Sequence, residues 1–246
     1  MNPGPRIYAG AAALAFAASL VLLFPARVAQ HAFAPDGVEL SGVSGTVWSG
    51  TAQEMSAGGL YFRDVAWQLR PLRLLTGKLA LDVEAKAAAG LVESRVQVGF
   101  SGAVTLTDLH AEMRLQALQL QFRMPGLSGI ARADFERLAF RDGVPAAAEG
   151  TVTVTDLVAP KIYRGNIGGY RSVFTTTDEG IVTSIEDAGG VIDVAATLSV
   201  YADRRFEFLG TVAATERTPV EMRERLQFLG LPDAQGRYEL RTEGRL

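Results

Sequence analysis

Residues 78–100 read KLALDVEAKAAAGLVESRVQVGF and contain two runs in which apolar and polar residues alternate. The apolar positions are Leu79, Leu81, Val83 and Ala85 in the first run, and Val92, Val96, Val98 and Phe100 in the second. Alternation with a period of two predicts β-strands that bury one face and expose the other. Gly90 predicts a turn between the two runs. The stretch therefore predicts two consecutive strands with one apolar face.

The same pattern extends in both directions along the chain. Further strands are predicted at residues 38–51, 60–69, 103–109, 113–124, 130–140, 151–157, 181–185, 191–201, 206–215 and 237–246, with a helical turn at 71–75, a turn at 142–143 and an irregular crossing at 162–174. The apolar phase slips within 113–124, which predicts a bulge or two abutting strands. Short strands joined by tight turns favour one antiparallel meander, and so long a sheet is expected to curl over its apolar face into a concave surface.

One clear helix is predicted near the end of the chain. Thr218 is the expected N-cap, Pro219 the first helical residue and Glu221 the partner in a capping box. Three apolar residues then make one face, and a glycine ends the helix. These residues are Met222, Leu226, Leu229 and Gly230. The fold class is therefore mainly β, with one short helix late in the chain.

A second pattern precedes the strands. Residues 7–24 read IYAGAAALAFAASLVLLF, without charge or proline. Eighteen residues of helix reach about 27 Å, close to the thickness of the bilayer hydrocarbon core. They predict a single transmembrane helix after a cytoplasmic head at 1–6, followed by a linker at 25–37 and one domain at 38–246. The short basic head places that domain in the periplasm and the anchor in the inner membrane.

A cleavable signal peptide is the alternative to a retained anchor. The best small-residue cleavage motif is Ala32-Phe33-Ala34, but Pro35 follows it directly and disfavours cleavage. A buried helix of a soluble protein would carry a polar stripe, which this run lacks. The sequence therefore favours the anchor.

Composition limits the chemistry. The net charge is −3, the chain has no cysteine, and its only histidines are His31 and His110. Nucleic-acid binding calls for a basic surface, and disulfides or thiolate sites call for cysteine. A catalytic dyad or an imidazole metal site would have almost nothing to be built from. We therefore predict no enzymatic activity, no cofactor, no metal and no nucleic-acid partner.

Two tryptophans are the candidate site residues. Trp48 and Trp67 are interpreted either as anchors for a partner or as part of the fold's own core, because aromatic residues dominate both kinds of contact. The glycines at 42, 45 and 50 lack the spacing and the lysine of a phosphate-binding loop. The acidic pairs at 134 and 136 and at 186 and 187 are interpreted as solvated, and His110 as a turn residue without a role.

Three segments carry a resemblance to a known family. They are LSGVSGTVWSG at 40–50, WQLRP at 67–71 with LLTG at 74–77, and LGLPDAQGRYEL at 229–240. Together with the N-terminal anchor, their order resembles the inner-membrane protein N family of the bacterial type II secretion system, which is distantly AsmA-like.

The resemblance implies a non-enzymatic, single-pass component of the machine that moves folded periplasmic proteins across the outer membrane. Its partners would be other components of that machine and inner-membrane lipid, and the family supplies no catalytic residues. The alternative is a lipid-binding or lipid-transfer module that holds acyl chains, such as those of a phospholipid, in its apolar β-groove. A hydrolase or transferase is disfavoured by the scarcity of histidine and cysteine.

Overall fold

The computed structural model describes residues 19, 22–28, 38–57, 60–71, 78–87, 90–99, 103–119, 123–141 and 144–245. Its strands are β1 Val38–Ser41, β2 Ser44–Gly45, β3 Ser49–Ala57, β4 Leu60–Leu69, β5 Lys78–Ala87, β6 Gly90–Gly99, β7 Val104–Arg114, β8 Ser128–Arg141, β9 Val144–Ala159, β10 Tyr163–Thr177, β11 Gly180–Asp187, β12 Ile192–Tyr201, β13 Arg205–Ala214 and β14 Arg237–Arg245. Helix α1 is Val220–Leu226, and 3₁₀ turns occupy Leu115–Leu118 and Gln227–Leu229.

All the strands belong to one curved antiparallel sheet. Their order is β1-β3-β4 and then consecutively to β14, while β2 pairs with β3 beside β1. The predicted mainly β meander with one short helix is confirmed. Most of the predicted anchor at 7–24 and most of the predicted turn at 71–75 lie outside the described residues. The predicted turn at 142–143 lies wholly outside them. No helix within the described ranges is long and apolar enough to cross a membrane.

Two strand predictions were wrong. Residues 113–124 do not continue as a strand, because β7 ends at Arg114 and Leu115–Leu118 form a 3₁₀ turn with Leu115 buried. This change of backbone conformation explains the slip of apolar phase. The predicted irregular crossing at 162–174 is a strand instead, because residues 163–174 belong to β10, but its irregularity is confirmed. Its glycine-rich first half pairs with β9 through three register shifts and is regular from Tyr170 onward.

Three aspartates lie where strands bulge. Asp64, Asp108 and Asp156 have φ values of 49°, 51° and 53°, and each lies at a register shift with a neighbouring strand. Aspartate tolerates this left-handed conformation better than most residues, because its short polar side chain can bond locally. The bulges keep apolar residues on one face on both sides of each irregularity.

The helix begins differently from the prediction. Its N-cap is Pro219, without a side-chain capping bond, so the predicted Thr218 cap and capping box were wrong. Thr218 is instead buried, where its Oγ1 accepts a hydrogen bond from the Thr215 backbone N–H at 2.7 Å and donates to the Val191 carbonyl. The hydroxyl therefore ties the start of α1 to the residue before β12.

The apolar interior consists of three clusters along one face of the sheet. The first is centred on Ala26, Val43, Ala52, Val65 and Ala85. The second is centred on Leu115, Leu127, Ala159, Ile167 and Met222, and the third on Phe135, Ala148 and Ile181. Met222 and Leu226 of α1 are buried, whereas Leu229 is 44% exposed, so the predicted helix face is only partly covered.

Candidate interaction surface

The register separates an apolar face from a polar face. In one row across the sheet, Leu109 lies opposite Phe135, Phe135 opposite Gly150, and Gly150 opposite Phe174. Their neighbours in sequence, such as His110, Asp134 and Thr151, lie opposite one another on the other face. Side chains alternate between faces along a strand, so these registers make the apolar face continuous from strand to strand.

Residues before β1 cover the beginning of this face. Ala26 is buried in the first cluster. The Phe24 carbonyl accepts a hydrogen bond from the Val47 N–H at 3.0 Å, and Pro25 forms a bridge with Thr46. The part of the predicted 25–37 linker that is described, residues 25–28, therefore packs on the sheet.

Both candidate tryptophans lie at this end of the sheet. The Trp48 carbonyl accepts a hydrogen bond from the Leu69 N–H at 2.7 Å. This bond holds Trp48 opposite Leu69, one residue before β3 begins. Trp67 lies opposite Gly50, and a Cβ built on Gly50 would come within 2.4 Å of the Trp67 ring. Trp67 thus packs over a glycine and against the first cluster. Both side chains are half-buried.

The polar face carries a chain of ion pairs across β5, β6 and β7. Arg70 Nε donates to Asp82 Oδ2 at 2.6 Å, and Arg95 donates to Asp82 Oδ1 at 3.1 Å and to Asp108 Oδ2 at 2.7 Å. Burial tends to raise the pKa of Asp82, but hydrogen bonds from the two arginines outweigh it and hold that pKa below its usual range. Asp82, Arg95 and Asp108 line a groove of about 840 Å³, which Trp67 also lines.

His110 lies inside β7 rather than in the predicted turn. Its Nδ1 is 2.8 Å from Asp134 Oδ1, and both side chains are largely exposed. No group of three or more acidic or histidine side chains in the described ranges is arranged to hold a metal ion. Sequence reasoning missed Asp82, Arg95 and Asp108, although an aspartate inside a strand is itself unusual and can signal a bulge.

Several exposed apolar side chains lie on α1 and in the residues that follow it. Phe228 and Leu231 are 88% and 95% exposed, and Val220 on the helix is 69% exposed. Arg225 Nη1 donates to the Ile162 carbonyl at 2.6 Å and holds this end of α1 to the turn before β10.

Tyr170 gives the second cluster a pH dependence. Burial and the nearby Asp187 carboxylate raise the pKa of Tyr170 to about 12, and its hydroxyl donates to the Ile167 carbonyl at 3.2 Å. The unfolded value is about 10. Folding therefore favours the neutral phenol, and this contribution is complete below pH 10 and lost as the pH rises to 12.

We expect the free energy of unfolding to fall by about 1–2 kcal/mol over this pH range because of Tyr170 alone, since solvent around the partly exposed ring screens part of the effect. Urea unfolding of the native protein and of the Tyr170→Phe variant is measured between pH 9 and 12. The contribution of Tyr170 is the difference between the two plots of unfolding free energy against pH. Parallel pH profiles would contradict the assignment.

The fold defines a class of protein: a mainly β protein built on one long antiparallel sheet with extended faces. A family model for type II secretion system protein N matches residues 36–241. The chain belongs to that family, and the resemblance to the protein N family seen in the sequence is confirmed.

Individual relatives agree with the family match. The chain is 27% identical over 237 residues to the type II secretion system protein N of Vibrio cholerae, covering 93% of each chain. It is 26% identical over 244 residues to that of Aeromonas hydrophila, covering 95% of each. A 45-residue match to the Aeromonas salmonicida protein is 44% identical and covers 18% of this chain and 96% of the relative. No solved structure matches.

Proposed function

We propose that this protein is a non-enzymatic component of the type II secretion system that acts by binding other components. The arrangement comprises a cytoplasmic head at 1–6, an inner-membrane helix at 7–24 and a periplasmic sheet domain within 38–246. The packing of residues 24–28 on the sheet carries this proposal, because it joins the proposed helix directly to the domain. Thirteen successive strands spaced about 4.8 Å apart extend about 60 Å from that junction along the sheet.

The tryptophan end of the sheet is the proposed contact site for another component. Trp48 and Trp67 lie where the chain enters the sheet, and Trp67 lines the polar groove together with Asp82 and Arg95. Tryptophan is among the residues most enriched at binding hot spots. In this arrangement the sheet domain serves as a scaffold held close to the inner membrane.

Trp48→Ala is expected to abolish most secretion while the domain remains folded. Truncating a hot-spot tryptophan costs about 2 kcal/mol or more of binding, which is about 30-fold in affinity. The measurement is the amount of a secreted enzyme in the medium, with membrane levels of the variant checked by blotting. Tyr61→Ala is the matched control, since Tyr61 is a 70% exposed aromatic residue at the other end of β4. Normal secretion by a folded Trp48→Ala variant would refute a central role for this residue.

A lipid-binding role is the second candidate. The three apolar clusters leave part of the apolar face outside them. In that part Val96, Val98 and Leu106 lie close together on neighbouring strands, and all three are only half-buried. An incompletely covered apolar face is the kind of surface that holds acyl chains.

One purification tests both candidates. The full-length protein is extracted from native membranes in mild detergent, and bound proteins and lipids are identified by mass spectrometry. Secretion components without stoichiometric lipid would support the scaffold. Phospholipid that is lost in Leu198→Asp, on the apolar face, but kept in Thr197→Asp, on the polar face, would favour the lipid-binding role.

A further inference from the structure

Strand β14 forms one open end of the sheet. It pairs with β13 in an uninterrupted register from Ala213 opposite Arg237 to Arg205 opposite Arg245. No other strand in the described part of the chain pairs with its outer side. An edge of this kind presents unpaired backbone groups that can accept another strand.

The backbone groups that face outward can be assigned from Arg237. Its N–H donates to Asp233 Oδ1 at 2.8 Å, and its carbonyl accepts from the Asp233 N–H at 2.8 Å. Both groups therefore bond to the preceding turn and point away from β13. Directions alternate along a strand, so the backbone groups of Glu239, Arg241, Glu243 and Arg245 also point outward.

The same residues carry charges of alternating sign on the polar face. From Arg237 to Arg245, every second residue is charged, and the order is plus, minus, plus, minus, plus. Arg237 binds Asp193, and Arg241 Nη2 lies 3.2 Å from Glu207 while its side chain remains 67% exposed. Among the described residues, Glu239 and Glu243 form no ion pair and are exposed.

We propose that β14 pairs antiparallel with β14 of a second copy of this chain. Around a two-fold axis at Thr242, Glu239 faces Arg245 of the second copy and Arg241 faces Glu243. By symmetry, each copy has four residues with free, outward-pointing backbone groups that face a residue of opposite charge. These are Glu239, Arg241, Glu243 and Arg245. Each facing pair exchanges two backbone hydrogen bonds, and the two sheets become continuous. This proposal does not depend on the role in secretion.

The charge pattern selects this register. Moving the axis to Arg241 places Arg241 against Arg241 and Glu239 against Glu243, which is repulsive at every position. Moving it to Leu240 restores opposite charges but sets Glu243 against Arg237, whose backbone groups are already bonded to Asp233. Only the axis at Thr242 lets the free backbone groups form hydrogen bonds and also places opposite charges face to face. The charge pattern therefore favours pairing with a second copy in this register and disfavours pairing in other registers.

Engineered cysteines test the register, because the natural chain has none. Thr242 would face Thr242 of the second copy as a non-hydrogen-bonded pair, with Cα atoms about 4.5 Å apart, which a disulfide can bridge. Leu240 would lie about 13 Å from its counterpart along the strand. In membranes that contain the full chain, mild oxidation is expected to give a covalent dimer with Thr242→Cys and none with Leu240→Cys. No dimer, or a dimer with Leu240→Cys only, overturns the proposal.

Charge exchange tests the pairing itself. Arg241→Glu and Glu243→Arg each oppose like charges across the axis and are each expected to raise the dimer dissociation constant at least about tenfold. When the two variants are mixed, every facing pair in the mixed dimer again has opposite charges. Sedimentation of the purified full-length proteins in detergent is expected to show restored dimer in the mixture.

Restoration also shows that both variants are folded. A native protein that sediments as a monomer at all concentrations overturns the proposal, as does a mixture that stays monomeric. Dimers of undiminished affinity in each single variant would likewise overturn it.

Discussion

Replacing Phe135 by alanine is expected to lower the free energy of unfolding by about 3–5 kcal/mol. Phe135 is the largest buried side chain of the third cluster, and its ring centroid lies 5.2 Å from that of Phe174 in a tilted arrangement. Gly150 lies opposite it, and a Cβ on Gly150 would come within 2.7 Å of the Phe135 ring. The ring thus occupies space that the glycine leaves open, and Gly150 has no side chain that could move into the resulting cavity.

Urea unfolding of the full-length protein in detergent, followed by far-ultraviolet circular dichroism, measures this loss. Phe228→Ala is the control, because Phe228 is 88% exposed and its truncation is expected to change stability by less than about 0.5 kcal/mol. A loss below about 1 kcal/mol for Phe135→Ala would show that the third cluster does not hold the middle of the sheet together.

Met222→Ala is expected to lower the free energy of unfolding by about 2–4 kcal/mol and to loosen α1. Met222 is 2% exposed and packs in the second cluster with Leu115, Leu127 and Ile167. A helix of seven residues is unstable alone, so contacts of this kind hold it in place. The second effect is therefore faster proteolysis within residues 216–230.

The matched control lies on the same helix. Val220 is 69% exposed, and Val220→Ala removes a β-branched residue, so stability is expected to stay the same or rise slightly. Limited trypsin digestion, which cuts at Arg223 and Arg225, compares the variants directly. Equal digestion rates for Met222→Ala and Val220→Ala would mean that the methionine does not anchor the helix.

Sequence reasoning succeeded where the signal is local. Alternation between 78 and 99 predicted β5 and β6, and the residues from 60 to 69 predicted β4 with the observed bounds. The helix was predicted from its apolar spacing, but its cap was not. Thr218 has the right chemistry for an N-cap, but its hydroxyl bonds to the Val191 carbonyl instead. A long-range partner replaced a local one, and nothing near Thr218 in sequence indicates Val191.

The candidate site was predicted only in part. Trp48 and Trp67 were chosen for their chemistry, and the structure brings them to one end of the sheet. The ion pairs that join Asp82 to Arg95 and Arg95 to Asp108 were not foreseen. Facing positions depend on register, and the bulge at Asp108 shifts the register of β7 against β6 by one residue. Such a shift changes every pair beyond it.

The sequence by itself determined that this protein is a long antiparallel meander with one apolar face, because strand period and turn residues are properties of short segments. It also determined family membership through motifs at both ends of the chain. Only the tertiary structure decided which side chains meet and which strands form the edges of the sheet. Those features follow from the register and order of all the strands, and β14 is an open edge because no described strand pairs with its outer side.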